Sequence, residues 1–155
     1  MEKYKKVKVL GKGNFAVVIL VQNKEDKHYY ALKIIDVSQM ENEQKEATLN
    51  EVKVLKSLRH PYIISYKESF MEKKCLCIVT EFADNGDLYR VIKKQREQGS
   101  LISEEQILDW FVQMALALKH IHDRKILHRD LKTQNIFLNS NNEIKIGDFG
   151  ISRII

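Results

Sequence analysis

His128-Arg129-Asp130-Leu131-Lys132-Thr133-Gln134-Asn135-Ile136-Phe137-Leu138, followed by Asp148-Phe149-Gly150, decides how this chain is read. The first stretch gathers a carboxylate, an ammonium and a side-chain amide in one polar loop, then turns apolar as a short strand does. The second adds another carboxylate in a turn. Either piece alone reads as a chance polar loop. The two together, in this order and at this separation, are specific.

Upstream, Tyr4 to Ile35 reads as strand, turn, strand, strand: Tyr4-Leu10, Phe15-Gln22 and His28-Ile35, rich in β-branched and aromatic residues. The first turn, Gly11-Lys12-Gly13-Asn14-Phe15-Ala16-Val17-Val18, places glycines where backbone amides can approach a phosphate without a Cβ in the way. By itself a two-glycine hairpin is more often a plain turn. It fits neither the dinucleotide fingerprint nor the GxxxxGK[ST] loop. Ala31-Leu32-Lys33 sets an ammonium among apolar neighbours, where it needs an anionic partner if it is buried and none if it faces solvent.

From Met40 to Leu58, charged residues are broken by Leu49, Val52, Leu55 and Leu58 at helical spacing, an amphipathic helix with a narrow apolar face. Two more strands are expected at Ile63-Phe70 and Lys74-Glu81, then a hinge from Glu81 to Gly86. Ser103-Glu104-Glu105-Gln106 has the form of a capping box, with Ile107, Trp110, Phe111, Met114, Leu118 and Ile121 continuing one apolar face of a long helix. His120 and His122 are two apart on that helix and diverge, so no shared metal site is expected.

The 155 residues carry 26 Lys plus Arg against 21 Asp plus Glu, a net charge of +5 spread along the chain. Without a basic block, a nucleic-acid binder is disfavoured. Cys75 and Cys77 lie in an apolar run and read as reduced thiols in a packed strand. No stretch approaches the ~20 apolar residues that span a bilayer, and the start lacks a signal-type apolar region, so a soluble intracellular protein is expected.

The glycine turn, Lys33, the His128–Asn135 loop and the Asp148-Phe149-Gly150 turn together resemble the signature set of eukaryotic protein kinases. Within that superfamily, the stretch from His128 to Leu138, the run Asp148-Phe149-Gly150-Ile151-Ser152-Arg153 and His60-Pro61-Tyr62-Ile63-Ile64-Ser65-Tyr66 look like NIMA-related (NEK) kinases. Lys132, two residues after Asp130, is the mark of the Ser/Thr class. The resemblance implies an α+β fold over residues 4–155. Its first lobe (4–83) would be a five-stranded antiparallel sheet with one regulatory helix, and residues 84–155 would begin a mainly helical lobe.

It also implies a function: MgATP-dependent transfer of the γ-phosphoryl to Ser or Thr hydroxyls of a protein substrate. Lys33 would hold the α- and β-phosphates and pair with Glu51, Asp130 would orient the acceptor hydroxyl, and Lys132 would steady the γ-phosphate. Asn135 and Asp148 would hold Mg2+. ATP would be enclosed by Leu10, Gly11, Lys12, Gly13, Asn14, Phe15 and Ala16, with Val18 and Ala31 on one side of the adenine and Phe137 on the other. Thr80 would be the gatekeeper, Glu81 and Ala83 would offer backbone hydrogen bonds, and Asp87 would reach the ribose. Leu55, Tyr66, His128 and Phe149 would stack as a hydrophobic spine.

The sequence departs from the pattern at Ala16, which fills a glycine position, at a cost of about 1 kcal/mol if that residue needs positive φ. A kinase domain also continues well beyond Asp-Phe-Gly, so the chain on its own is expected to phosphorylate weakly and to leave the Ile107–Ile121 helix sticky. The competing expectation is a non-catalytic ATP-binding fragment or isoform acting as a binding module. The resemblance points to the cytoplasm, with nucleus, cytoskeleton and cilium as further sites.

Overall fold

The computed structural model describes residues 1–150 and 152–154. Ile151, part of the family-like ending, and Ile155, the last residue, lie outside the described residues. Contacts group the chain into two units: Met1–Lys56 with Ser65–Phe82, and Ser57–Ile64 with the residues from Ala83 onward.

The first unit is a five-stranded antiparallel sheet in the order β1-β2-β3-β5-β4. Its strands are β1 (Tyr4–Lys12), β2 (Ala16–Asn23), β3 (Tyr29–Asp36), β4 (Tyr66–Glu72) and β5 (Cys75–Glu81). Alternation decides which face is buried. Ile19, Leu32 and Val79 stand directly opposite one another on β2, β3 and β5, and with Tyr4, Val21 and Cys77 they form the core of the sheet. Burial pushes the Cys77 thiol pKa up, as expected for a packed, unreactive sulfur. The Tyr4 hydroxyl donates to Glu68 on β4, whose other oxygen accepts from Lys3 at 2.7 Å.

α1 (Asn42–Ser57) buries Glu51, Val52, Val54 and Leu55. Leu49, expected on the apolar face, is instead 55% exposed. Six residues before Leu55 it lies about 120° around the helix, away from the side that carries Glu51 and Val54.

In the second unit, α2 (Leu88–Glu97) and α3 (Glu104–Asp123) accompany two short antiparallel ladders. One pairs β7 (Ile136–Leu138) with β8 (Ile144–Ile146), and the other pairs β6 (Ile126–Leu127) with β9 (Arg153–Ile154). α2 was not anticipated from sequence, although Asp87 caps its start, accepting from Arg90 N at 2.9 Å, and Gly99 follows it at φ +64°. The segment Ser57–Ile64 joins this unit because Ile64 N donates to Ile146 O and Ile146 N to Tyr62 O, both at 2.9 Å. That pairing also delays β4 to Tyr66, later than the expected start at Ile63.

Ser103 caps α3 as expected, accepting from Gln106 N at 3.2 Å. The return half of the capping box is not made: Gln106 Oε1 accepts from Asn142 Nδ2 instead. The expected single apolar face is divided. Trp110, Ala117 and Ile121 are buried, while Ile107, Leu108, Phe111, Val112 and Leu116 are exposed, Phe111 at 63%. The buried side is fixed to the β7–β8 hairpin, Trp110 Nε1 donating to Asn142 O at 3.0 Å and Ile144 N to Gln113 Oε1 at 2.8 Å. Among the described residues, no helix is long and apolar enough to cross a membrane.

Candidate active site

The candidate residues fall into one set per unit. In the first, Leu10, Gly11 and Lys12 end β1, and Gly11 and Lys12 stand opposite Val18 and Val17 on β2. Gly13 and Asn14 form the turn, where Gly13 N donates to Ala16 O at 2.7 Å, so this amide is engaged within the turn. Phe15 is exposed beside it. Ala16 begins β2 opposite Ile35 and is not among the residues with positive φ, so its Cβ carries no backbone penalty.

Register brings Val18 opposite Lys33 and Ala31 opposite Thr80. Lys33 Nζ meets Glu51 Oε1 at 2.8 Å and Oε2 at 3.0 Å. Of the two readings of Lys33, the paired one is therefore present. Glu81 N donates to Ser65 O at 2.9 Å, fixing the end of β5.

In the second unit the Asp130 carboxylate is held from both sides. Lys132 Nζ lies 3.0 Å from Oδ1, and Asn135 Nδ2 donates to Oδ2 at 2.9 Å and to the Asp130 carbonyl at 2.8 Å. The Lys132 hydrogen bond, supported by Asn135, lowers the Asp130 pKa below the ordinary aspartate value, keeping it ionised. Asn135 lies in a 3-10 turn (Thr133–Asn135) leading straight into β7.

His128 ties this loop to the turn at Asp148. Its Nδ1 accepts from Asp130 N at 3.2 Å, which leaves Nε2 as the protonated nitrogen, donating to Gly147 O at 2.8 Å. Gly147 N donates to Asn135 O at 3.0 Å, and the Phe149 ring packs edge-on to His128 at 4.8 Å. Arg129 (φ 68°) and Asp148 (φ 56°), one on either strand of this clamp, adopt left-handed backbone that costs about 1–2 kcal/mol each. The clamp holds both in place. Of the expected spine, the His128–Phe149 stack lies within this unit.

Phe137, Ala83 and Asp87 also belong here. Asp87 bridges to Phe137, and besides capping α2 its carboxylate lies 3.3 Å from Arg90 Nε, so the oxygens expected to meet a ribose already have partners. Asn135 and Asp148 supply a side-chain amide oxygen and a carboxylate, hard donors of the kind Mg2+ takes one or two at a time, with phosphate and water completing its shell. No cluster of three or more His, Cys, Asp or Glu that could hold a metal occurs among the described residues.

Compared with known protein families, residues 4–155 match the protein kinase domain. The chain belongs to that family.

This kinase domain is similar over its whole length to serine/threonine-protein kinases. It is 48% identical to Nek1 of Mus musculus, of which the aligned part is 13%, and 48% identical to Nek5 of Homo sapiens, of which it is 22%. It is 50% identical to Nek8 of Danio rerio, again over 22% of that protein. The chain thus spans less than a quarter of these relatives' lengths.

Two site residues of the kinase domain escaped sequence reasoning. His128, quoted in the deciding motif, was given a role only in the spine, whereas its two ring nitrogens make it the hydrogen-bonded hub of the site. Gly147 was passed over: a Cβ there would stand 2.9 Å from Phe137 Cε2 and 3.1 Å from Ile64 Cγ1, so only glycine lets the Phe137 ring lie where it does. A glycine just before an acidic turn was the available signal.

Proposed function

We propose that this chain is the nucleotide-binding and catalytic-loop part of a NIMA-related protein serine/threonine kinase, moving the γ-phosphoryl of MgATP to a Ser or Thr hydroxyl. The observation that carries the reading is the Asp130 carboxylate, held between Lys132 and Asn135 and kept ionised by them.

A carboxylate with a lowered pKa is a weak base, so Asp130 works mainly by orienting the acceptor hydroxyl and taking its proton late, as suits a loose phosphoryl-transfer transition state. Lys132 presents positive charge beside it, where negative charge accumulates on the transferring group. Lys33, aligned by Glu51, contributes a fixed ammonium for the α- and β-phosphates. Asn135 and Asp148 would hold magnesium, which supplies charge neutralisation at the phosphate oxygens. In the first unit, Val18 and Ala31 offer apolar surface suited to an adenine, Leu10 and the Gly11–Ala16 turn suit the phosphates, and Thr80 and Glu81 suit edge contacts; in the second, the resemblance gives Phe137 and Ala83 the corresponding roles. Similarity to the Nek kinases supports the Ser/Thr class.

The test is transfer of labelled phosphoryl from MgATP to a Ser- and Thr-rich acceptor protein, followed by phosphoamino-acid analysis. Label on Ser or Thr that falls at least a hundredfold with Asp130→Asn supports the reading. Label on Tyr, or label unaffected by Asp130→Asn, refutes it.

A further inference from the structure

Between α2 and the start of α3 lies a cavity of about 600 Å³, lined by residues of α2, the connecting loop, α3 and the β7–β8 turn. None of its lining residues is acidic, and two, Arg90 and Lys94, are cationic, Arg90 being paired through Nε with Asp87, so that Lys94 is the principal free charge of the groove. Its floor is built rather than incidental: Trp110 Nε1 donates to Asn142 O, and Asn142, held at φ 62°, donates its side-chain amide to Gln106. Leu101 stands at the rim with 96% of its surface exposed, more than any other large hydrophobic side chain among the described residues. The catalytic loop and the magnesium turn contribute nothing to this lining.

We propose that this groove docks an extended acidic segment of a protein partner, with apolar residues alternating between the acids. Arg90 and Lys94 are one helical turn apart, which sets their Cβ atoms about 5–6 Å from each other. In an extended peptide, side chains two residues apart point the same way at a spacing of about 6.6 Å. Carboxylates at such positions meet Lys94 and, in exchange with Asp87, Arg90, and the residue between them turns away from the cations, with Leu101 in the same lining offering apolar surface. Charge complementarity thus selects acid, and alternation selects an apolar residue between acids. A nucleic acid would satisfy the cations but needs an exposed aromatic face for its bases. Trp110 offers none, being 5% exposed with its N–H engaged.

The experiment pans a random twelve-residue peptide display library against the chain and measures recovered peptides by titration. Trp110 is the one tryptophan in the sequence and lines the groove, so its fluorescence reports occupancy. The expected result is enrichment of acid-apolar-acid triplets, a fluorescence change on binding, and affinity at least tenfold weaker for Lys94→Glu and for Leu101→Ser. Both side chains are exposed, and unchanged melting curves confirm that the variants fold. Asp130→Asn leaves peptide binding intact, which separates this proposal from the fate of the kinase reading. Recovered peptides without acids, equal affinity for the Lys94→Glu chain, failure to recover any binder, or a single-stranded oligonucleotide that binds and is lost with Lys94→Glu would each overturn it.

Discussion

Lys33 Nζ lies 2.8 Å from one oxygen of Glu51 and 3.0 Å from the other, a two-point ion pair whose carboxylate is only 6% exposed. Removing the ammonium alone strands a buried charge, whereas removing the charge keeps a hydrogen-bonding amide. Lys33→Met is therefore expected to cost about 1–3 kcal/mol and Glu51→Gln less. Lys33→Met/Glu51→Leu should recover part of the loss. Thermal melting of the three variants checks the order, and a Lys33→Met chain as stable as the original shows that the pair contributes nothing.

Gly147→Ala tests the close approach under Phe137. The added methyl must displace the Phe137 ring or the Ile64 side chain, a strain of about 1–3 kcal/mol. We expect a lower melting temperature together with weaker ATP binding. An alanine variant that melts and binds as the parent does means that the ring moves aside freely.

Ala16→Gly asks whether the alanine in the glycine turn is a defect. Because Ala16 sits in β2 without positive φ, glycine should bring no gain and cost about 0.5–1 kcal/mol. Higher stability or tighter nucleotide binding in Ala16→Gly would show that a left-handed conformation is needed there during binding.

Acid sensitivity should begin with histidine. His60 and His120 stack at 4.9 Å, and burial lowers both pKa values below 6.5, with Arg124 adding to each and Lys145 to His60, while Asp123 opposes the shift at His120. A base whose folded pKa is depressed binds fewer protons folded than unfolded, so its contribution is intact above pH 6.5 and is lost as pH falls below it. The lowered Asp130 and Asp123 act later, below pH 3.8. Stability measured by urea unfolding should therefore decline from pH 6.5 downward, and His60→Gln/His120→Gln should flatten that first decline. An unchanged slope in the double variant contradicts the assignment.

Much of this was legible because chemistry clusters in short motifs. Lys33 and Glu51 pair as the family resemblance implied, and Asp130 and Asn135 meet within one loop. What sequence hid was cooperative. The two ring nitrogens of His128 join residues 130 and 147, which no periodicity can reveal. Apolar spacing on α3 promised one face, yet burial followed Trp110, Ala117 and Ile121 because Gln113 bonds the β8 backbone and turns that side inward. α2 was missed because it buries only Leu88, so its signal lay in the Asp87 cap and not in hydrophobic pattern.

The most direct test of the kinase reading is a thermal-shift titration with MgATP. A ligand at a hundred times its dissociation constant stabilises the folded protein by about 2.7 kcal/mol. We predict a saturable rise in melting temperature that needs magnesium and is lost in both Lys33→Met and Asp148→Ala, each compared with its own nucleotide-free baseline. No rise with MgATP, or an equal rise in the two variants, would contradict it.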